Sequence, residues 1–259
     1  MPGTTSAFFR ILFAALVVLP WYLWKRPLLP SRNATFLTLT GGVLLAVDLV
    51  LWQVAVLMTS AANATLLANL APVWVGLSAY LLRERLGLYF WPGLMLALAG
   101  VFLVVIDGSR QMASFNDGDL LALAASLFYG LYFIVTQRVR TNMNTVTFLA
   151  LSATSGVVLS LAMCLVLGAP LGGFSSQAWL SLAALGLVSH FGGYLAINYA
   201  LGHMSAATVS VSLLMQTVIT ALLSISLLGE FLSVQQIIGG SLVLAGIYVV
   251  NRFSTPNEI

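Results

Sequence analysis

Charge is scarce in this sequence. Ten basic and seven acidic side chains make up 7% of its 259 residues, whereas a water-soluble domain spends about a quarter of its residues on charge to cover its surface. A soluble fold is thereby excluded. Cysteine is nearly absent as well. Cys164 stands alone, so an internal disulfide is impossible, and inside an apolar run a single thiol reads as packing. Histidine occurs twice. With one acid deep in any apolar run, too few ligands remain for a metal centre. The sequence holds no phosphate-binding glycine loop to couple ATP. It has neither a serine element of the Gly-x-Ser-x-Gly type nor a second embedded acid, which removes intramembrane serine and aspartyl proteolysis. No enzyme activity, cofactor or metal is expected.

What is present is apolar length. Hydrophobic residues make up 60% of the chain and the mean hydropathy is +1.03. A bilayer core is crossed by about 20 mostly apolar residues, in a helix that satisfies its own backbone. Nine segments meet that condition: 8–24, 34–57, 61–82, 88–106, 119–137, 145–168, 179–199, 204–228 and 233–251. The expectation is an all-α polytopic membrane protein of nine transmembrane helices with no room for a soluble domain. The residues before Phe8 are too few for a cleaved leader.

A formal charge of +3 raises the question of nucleic acid, but the placement of the cations answers otherwise. With the N-terminus outside, Lys25, Arg26, Arg32, Arg83, Arg85, Arg138, Arg140 and Arg252 fall on one side, and Arg10 and Arg110 on the other. This is the positive-inside bias. It predicts an integral protein of a bacterial-type inner (plasma) membrane with a cytoplasmic C-terminus. The acidic stretch Asp107 to Asp119 then lies outside. The partners expected are the lipid bilayer and a small-molecule substrate, with no nucleic acid; oligomeric state is not specified.

The chain repeats itself. Shifted by 146 residues, Leu81-Leu82-Arg83-Glu84-Arg85-Leu86 meets Leu227-Leu228-Gly229-Glu230-Phe231-Leu232, and Leu98-Ala99-Gly100-Val101 meets Leu244-Ala245-Gly246-Ile247. Gly93 likewise meets Gly239. A shift of 145 lays Thr59-Ser60-Ala61-Ala62 on Met204-Ser205-Ala206-Ala207. The register divides the chain into a first repeat of four helices over residues 1–113 and a second of five over 114–259. The helix at 119–137 has no counterpart, so the first repeat lacks its opening helix. A five-helix unit is odd in number, so equivalent helices cross in opposite senses, as two inverted repeats. Such repeats are a common carrier architecture, with the substrate near the midplane.

The segment Asp48-Leu49-Val50-Leu51-Trp52 with Thr59-Ser60-Ala61-Ala62-Asn63-Ala64-Thr65-Leu66-Leu67-Ala68-Asn69-Leu70-Ala71-Pro72 resembles EamA-type members of the drug/metabolite transporter superfamily. So do Arg83-Glu84-Arg85-Leu86 and Leu228-Gly229-Glu230. The resemblance runs from about Thr5 onward. It implies ten helices in two five-helix repeats and the export or exchange of small metabolites. Phe8-Phe9-Arg10 is similar to the start of that family's second helix. The chain departs from the pattern by lacking the first helix, through a truncated reading frame or as a nine-helix variant.

Polar groups in the apolar spans are costly and ask for partners or a function. Asp48 is the only acid at mid-depth, and a desolvated carboxylate is disfavoured in its charged form. His190 is equally central in the equivalent helix, where the repeat aligns it with Leu45, one turn from Asp48. These two are the candidates for proton coupling. Pro72 should kink its helix and free the carbonyl of Ala68. Asn69, Gln216, Trp52, Tyr129 and Tyr194 are the further candidates for a midplane cavity shared with Asp48 and His190. Trp74 and Tyr132 are additional aromatic candidates, and Asn198 continues the four-residue spacing of His190 and Tyr194. Arg10 is expected at the outer end of its helix, and Glu84 as a cap or a partner of Arg83 or Arg85. Together these readings predict a secondary carrier of small metabolites, amino-acid-like or amphipathic, proton-coupled at Asp48. An uncoupled facilitator and a structural membrane protein are the alternatives.

Overall fold

The computed structural model describes residues 1–25, 30–84, 86–108, 115–228 and 231–253. Every regular element among them is helical: α1 (Gly3–Lys25), α2 (Arg32–Met58), α3 (Ala61–Ala68), α4 (Ala71–Leu81), α5 (Phe90–Gly108), α6 (Asp117–Arg140), α7 (Thr145–Val166), α8 (Ser176–Ala184), a π-helical turn (Leu185–Gly192), α9 (Gly193–Leu201), α10 (Ala206–Ser212), α11 (Met215–Leu228) and α12 (Val234–Arg252). Eight helical stretches are long and apolar enough to cross a membrane, and the run Phe90–Ile106 is a shorter apolar ninth. Arg26, Arg85, Arg110, Gly229 and Glu230 lie outside the described residues, as do the side chains of Asp107 and Leu228.

Two predicted spans are interrupted. The span at 61–82 divides at Asn69-Leu70 into α3 and α4, and that at 204–228 divides at Leu213-Leu214 into α10 and α11. Pro72 therefore does more than kink its helix. It sits in the first turn of α4, where a missing N–H costs nothing, because the opening donors of a helix have no intrahelical acceptor. No proline lies in 206–228, yet the second break falls at the equivalent place. Both α3 and α10 open on a serine, Ser60 or Ser205, whose hydroxyl accepts from the backbone N–H three residues on. Ser31, Asn116, Asn144, Ser175 and Ser233 cap other helices in the same manner. Each cap satisfies one of the opening N–H groups that have no acceptor within their own helix.

The helices approach closely where glycine allows it. A Cβ on Gly100 would lie 2.5 Å from the Gly239 carbonyl oxygen, and one on Gly246 would lie 2.5 Å from that of Gly93. Val243 faces Gly100 just as its counterpart Ala97 faces Gly246. The α5–α12 contact is therefore antiparallel and reciprocal: residue i meets j+146 while j meets i+146, which defines a local twofold. The buried centre is filled by Tyr132, Phe133, Phe148, Leu94, Leu214 and Val243, whereas Leu16, Phe36, Val158, Leu180 and Leu222 point outward. An apolar exterior is what a lipid solvent requires.

Candidate functional site

A cavity of ≈ 500 Å³ lies beside the break between α3 and α4. Asp48 and Trp52 reach it from α2 at i and i+4, with Gln53 beside them. Asn69, the C-cap of α3, and Gln216, in the first turn of α11, reach it from the two interrupted spans. Gln216 Nε2 donates to Asn69 Oδ1 at 3.3 Å, so the two breaks are joined by an amide contact on the cavity wall. Tyr129 of α6 and Tyr194 of α9 complete the aromatic side. Tyr132 stacks parallel to Tyr129, with ring centroids 6.2 Å apart, and donates to Asn198 Oδ1 at 3.0 Å. It supports the wall from behind. Six of the seven residues singled out from the sequence thus border one space.

His190 does not. It is buried against the ring of Tyr194, at a centroid distance of 4.6 Å, and borders a small crevice with Leu45, Leu149 and Ser152. The reason is backbone phase. Four-residue spacing assumes 3.6 residues per turn, but Leu185–Gly192 is π-helical. The wider turn rotates the side chains, so Leu185, Ser189 and Tyr194 face the cavity at spacings of four and five. Ser189 occupies the place that α-helical spacing assigns to His190. Such π segments are common at functional sites.

Arg10 is the residue that sequence reasoning misplaced. Because α1 begins at Gly3, Arg10 lies two turns inside the helix and borders the cavity, so it is not an outer-end charge that snorkels. Its Nη2 donates to Ser189 Oγ at 3.2 Å. Gly186 makes the approach possible, since a Cβ there would lie 2.5 Å from Phe13 Cβ and 3.1 Å from the Arg10 carbonyl oxygen. The signal available in the sequence was a lone cation within the first apolar run. Arg10 and Asp48 border the same cavity, but they are not an ion pair: among the described residues the only one within 4.0 Å joins Arg138 to Glu84, at 3.4 Å. Glu84 thus pairs with α6 and not with Arg83.

Two buried acids invite comparison. Asp119, fully buried in the first turn of α6 and not in an external loop, accepts from Thr59 Oγ1 at 2.7 Å, from Asn63 Nδ2 at 3.3 Å and from the Asn116 N–H at 2.9 Å. Asp48 is 8% exposed, and none of the described residues donates a hydrogen bond to its carboxylate. Buried polar groups are normally satisfied. Asp119 is occupied in holding the fold, whereas Asp48 is held out to a cavity. Arg140 is another structural charge. It is buried and donates from Nε to the Asn198 carbonyl at 2.8 Å and from Nη2 to Thr145 Oγ1 at 2.7 Å. Trp74 donates to Ser126 Oγ at 2.9 Å, away from the cavity, and Cys164 is buried.

Among the described residues, eight long apolar helices and a shorter ninth enclose a cavity with polar groups on its wall, and the sequence pattern of the EamA-like transporter family matches residues 1–106 and 116–252. The chain belongs to the EamA-like transporter family. It is an integral membrane protein and a small-molecule transporter. An uncharacterized transporter of Archaeoglobus fulgidus is 26% identical over 94% of this chain and 86% of its own length. A protein of Streptantibioticus cattleyicolor described as a probable terminal-alkyne amino-acid exporter is 26% identical over 86% of this chain and 74% of its own. An S-adenosylmethionine uptake transporter of Rickettsia conorii is 23% identical over 71% and 58%. One crystal structure superposes with a TM-score of 0.79 at 21% identity, over 97% of this chain and 89% of the other; it shares the fold.

Proposed function

We propose that the protein is a secondary carrier that exports small amphipathic, amino-acid-like metabolites across the inner membrane by alternating access around the cavity, exchanging protons at Asp48. The observation that carries this reading is the carboxylate of Asp48, without a hydrogen-bond donor among the described residues, on a cavity wall bordered by two interrupted helices. Discontinuous helices at mid-depth are where carriers hold substrate and coupling ions. The titratable groups that share the cavity wall with Asp48 are Arg10 on α1, Tyr129 on α6 and Tyr194 on α9. Of these types, a carboxylate is the one that desolvation carries toward the physiological range, since tyrosine and arginine lose their protons well above it. Opening the cavity to one side changes its hydration, and with it the carboxylate's affinity for a proton. The exporter of S. cattleyicolor supports an amino-acid-like cargo and outward direction.

Repeats over 1–113 and 114–259, inverted in the membrane, complete the reading. The reciprocal α5–α12 contact and the paired helix breaks support them. His190, behind Tyr194, has no direct part in proton exchange.

The test is uptake of labelled amino acids and amphipathic amines into proteoliposomes under an imposed pH gradient. Asp48→Asn keeps the volume but cannot titrate. It is expected to abolish gradient-driven accumulation while downhill flux persists. Undiminished accumulation would overturn the proton role and leave a facilitator. Orientation is tested in a Cys164→Ala background: Phe115→Cys should react with an impermeant thiol reagent from outside and Thr141→Cys only from inside. The opposite pattern would reverse the assigned topology.

A further inference from the structure

The cavity holds a guanidinium and a carboxyl group that do not pair with each other. The Asp48 carboxylate has no hydrogen-bond donor among the described residues. The Arg10 guanidinium makes one hydrogen bond, to Ser189 Oγ, and its Nε is buried without a partner. Both groups border the same space and stand beyond ion-pair distance of each other. Charges in an apolar bundle ordinarily pair with one another, and here the pairing is left incomplete. Arg10 is also positioned with some care: Gly186 admits α1 against the π-helical turn, and that turn brings Ser189 to the guanidinium.

We propose that Arg10 and Asp48 are the two poles of a zwitterion site: Arg10, steadied by Ser189, receives a carboxylate, and Asp48 receives an ammonium. The proposal rests on the carrier reading above and specifies which charges the cargo must bear. The guanidinium offers a planar fork that matches a carboxylate. A single ligand carrying both charges satisfies both poles at once, whereas a purely cationic or anionic ligand leaves one of them buried and unpaired. The rest of the wall suits an apolar or aromatic side chain, since Trp52, Tyr129 and Tyr194 line it. An α-amino acid with a large side chain fits comfortably in ≈ 500 Å³.

The experiment measures binding to the purified full chain in nanodiscs, without any gradient, using three probes. They are L-phenylalanine, its methyl ester, which has no carboxylate, and N-acetyl-L-phenylalanine, which has no ammonium. The wild type is expected to bind phenylalanine at least about tenfold more tightly than either analogue. Arg10→Gln should weaken phenylalanine and the N-acetyl compound by about tenfold or more while sparing the ester. Asp48→Asn should weaken phenylalanine and the ester and spare the N-acetyl compound. Each variant's retained binding of the spared probe shows that it is folded, and Arg10→Lys, which keeps the charge but loses the fork, should fall between. Equal binding of all three probes by the wild type, no binding of phenylalanine, or losses that ignore probe charge would each overturn the proposal. Because no proton gradient enters, those results leave the carrier reading to be judged by the transport assay alone.

Discussion

Gly42→Ala is expected to abolish the well-folded protein, while Gly240→Ala leaves it intact or slightly more stable. At Gly42 a Cβ would overlap the backbone carbonyl of Ser152 and the hydroxyl of Ser155. That hydroxyl already bridges the helices, donating to the Leu39 carbonyl oxygen at 2.9 Å. Neither obstacle is the free end of a flexible side chain, so α2 and α7 must separate. Overpacking of this kind costs about 1–3 kcal/mol and sometimes more, and lipid tails offer no hydrophobic gain to offset it, because membrane helices associate through close packing of small residues. At Gly240 the nearest atoms would be 3.8 Å away, on Val218. Alanine there fills open space and adds up to about 1 kcal/mol of helix preference. Thermal unfolding followed by size-exclusion chromatography in detergent distinguishes the two. If Gly42→Ala melts with the wild type, the close α2–α7 approach is wrong.

Asp119→Ala should cost about 3–5 kcal/mol, because it removes the acceptor of three hydrogen bonds, and bonds to a charged group are worth about 1.5–3 kcal/mol each. Three hydrogen bonds would be lost, from Thr59, Asn63 and the Asn116 backbone, and the start of α6 would lose its tie to the α2–α3 junction. Asp48→Asn should leave stability almost unchanged, since no described donor depends on that carboxylate. The two acids therefore separate by assay, Asp119 in thermal stability and Asp48 in gradient-driven transport. The reverse order in melting temperature would mean that Asp48 is the structural acid. Asp119→Asn is expected to be intermediate, since the amide keeps one acceptor but turns a second donor toward its neighbours.

Much of the site was legible because a bilayer makes polar residues conspicuous. Asp48, Asn69 and Gln216 stand out in apolar runs, and a polar residue inside such a run needs a reason. The reciprocal glycines 93, 100, 239 and 246 were legible through the repeat. Arg10 was obscured by a boundary. The apolar run was read from Phe8, whereas α1 starts at Gly3 with buried Thr4, Thr5 and Ser6; short hydroxyl side chains look like loop in a hydropathy reading. Asp119 and Arg140 were read only as charges at the two edges of the span 119–137, because composition does not reveal which ends of a helix are packed inside the protein.

The amino-acid sequence by itself determined that the chain lives in a membrane, how many times it approaches crossing it, and which embedded polar residues had to find partners or a cavity. Those properties depend on solvent transfer, which is summed residue by residue and needs no knowledge of neighbours. Only the tertiary structure decided that Ser189 and not His190 faces the cavity, that Arg10 stands near Asp48 without pairing with it, and that Glu84 meets Arg138. These depend on angular phase and on contacts between distant segments. A single π-helical turn resets that phase for every side chain after it, and periodicity along one helix gives no account of what a neighbouring helix presents.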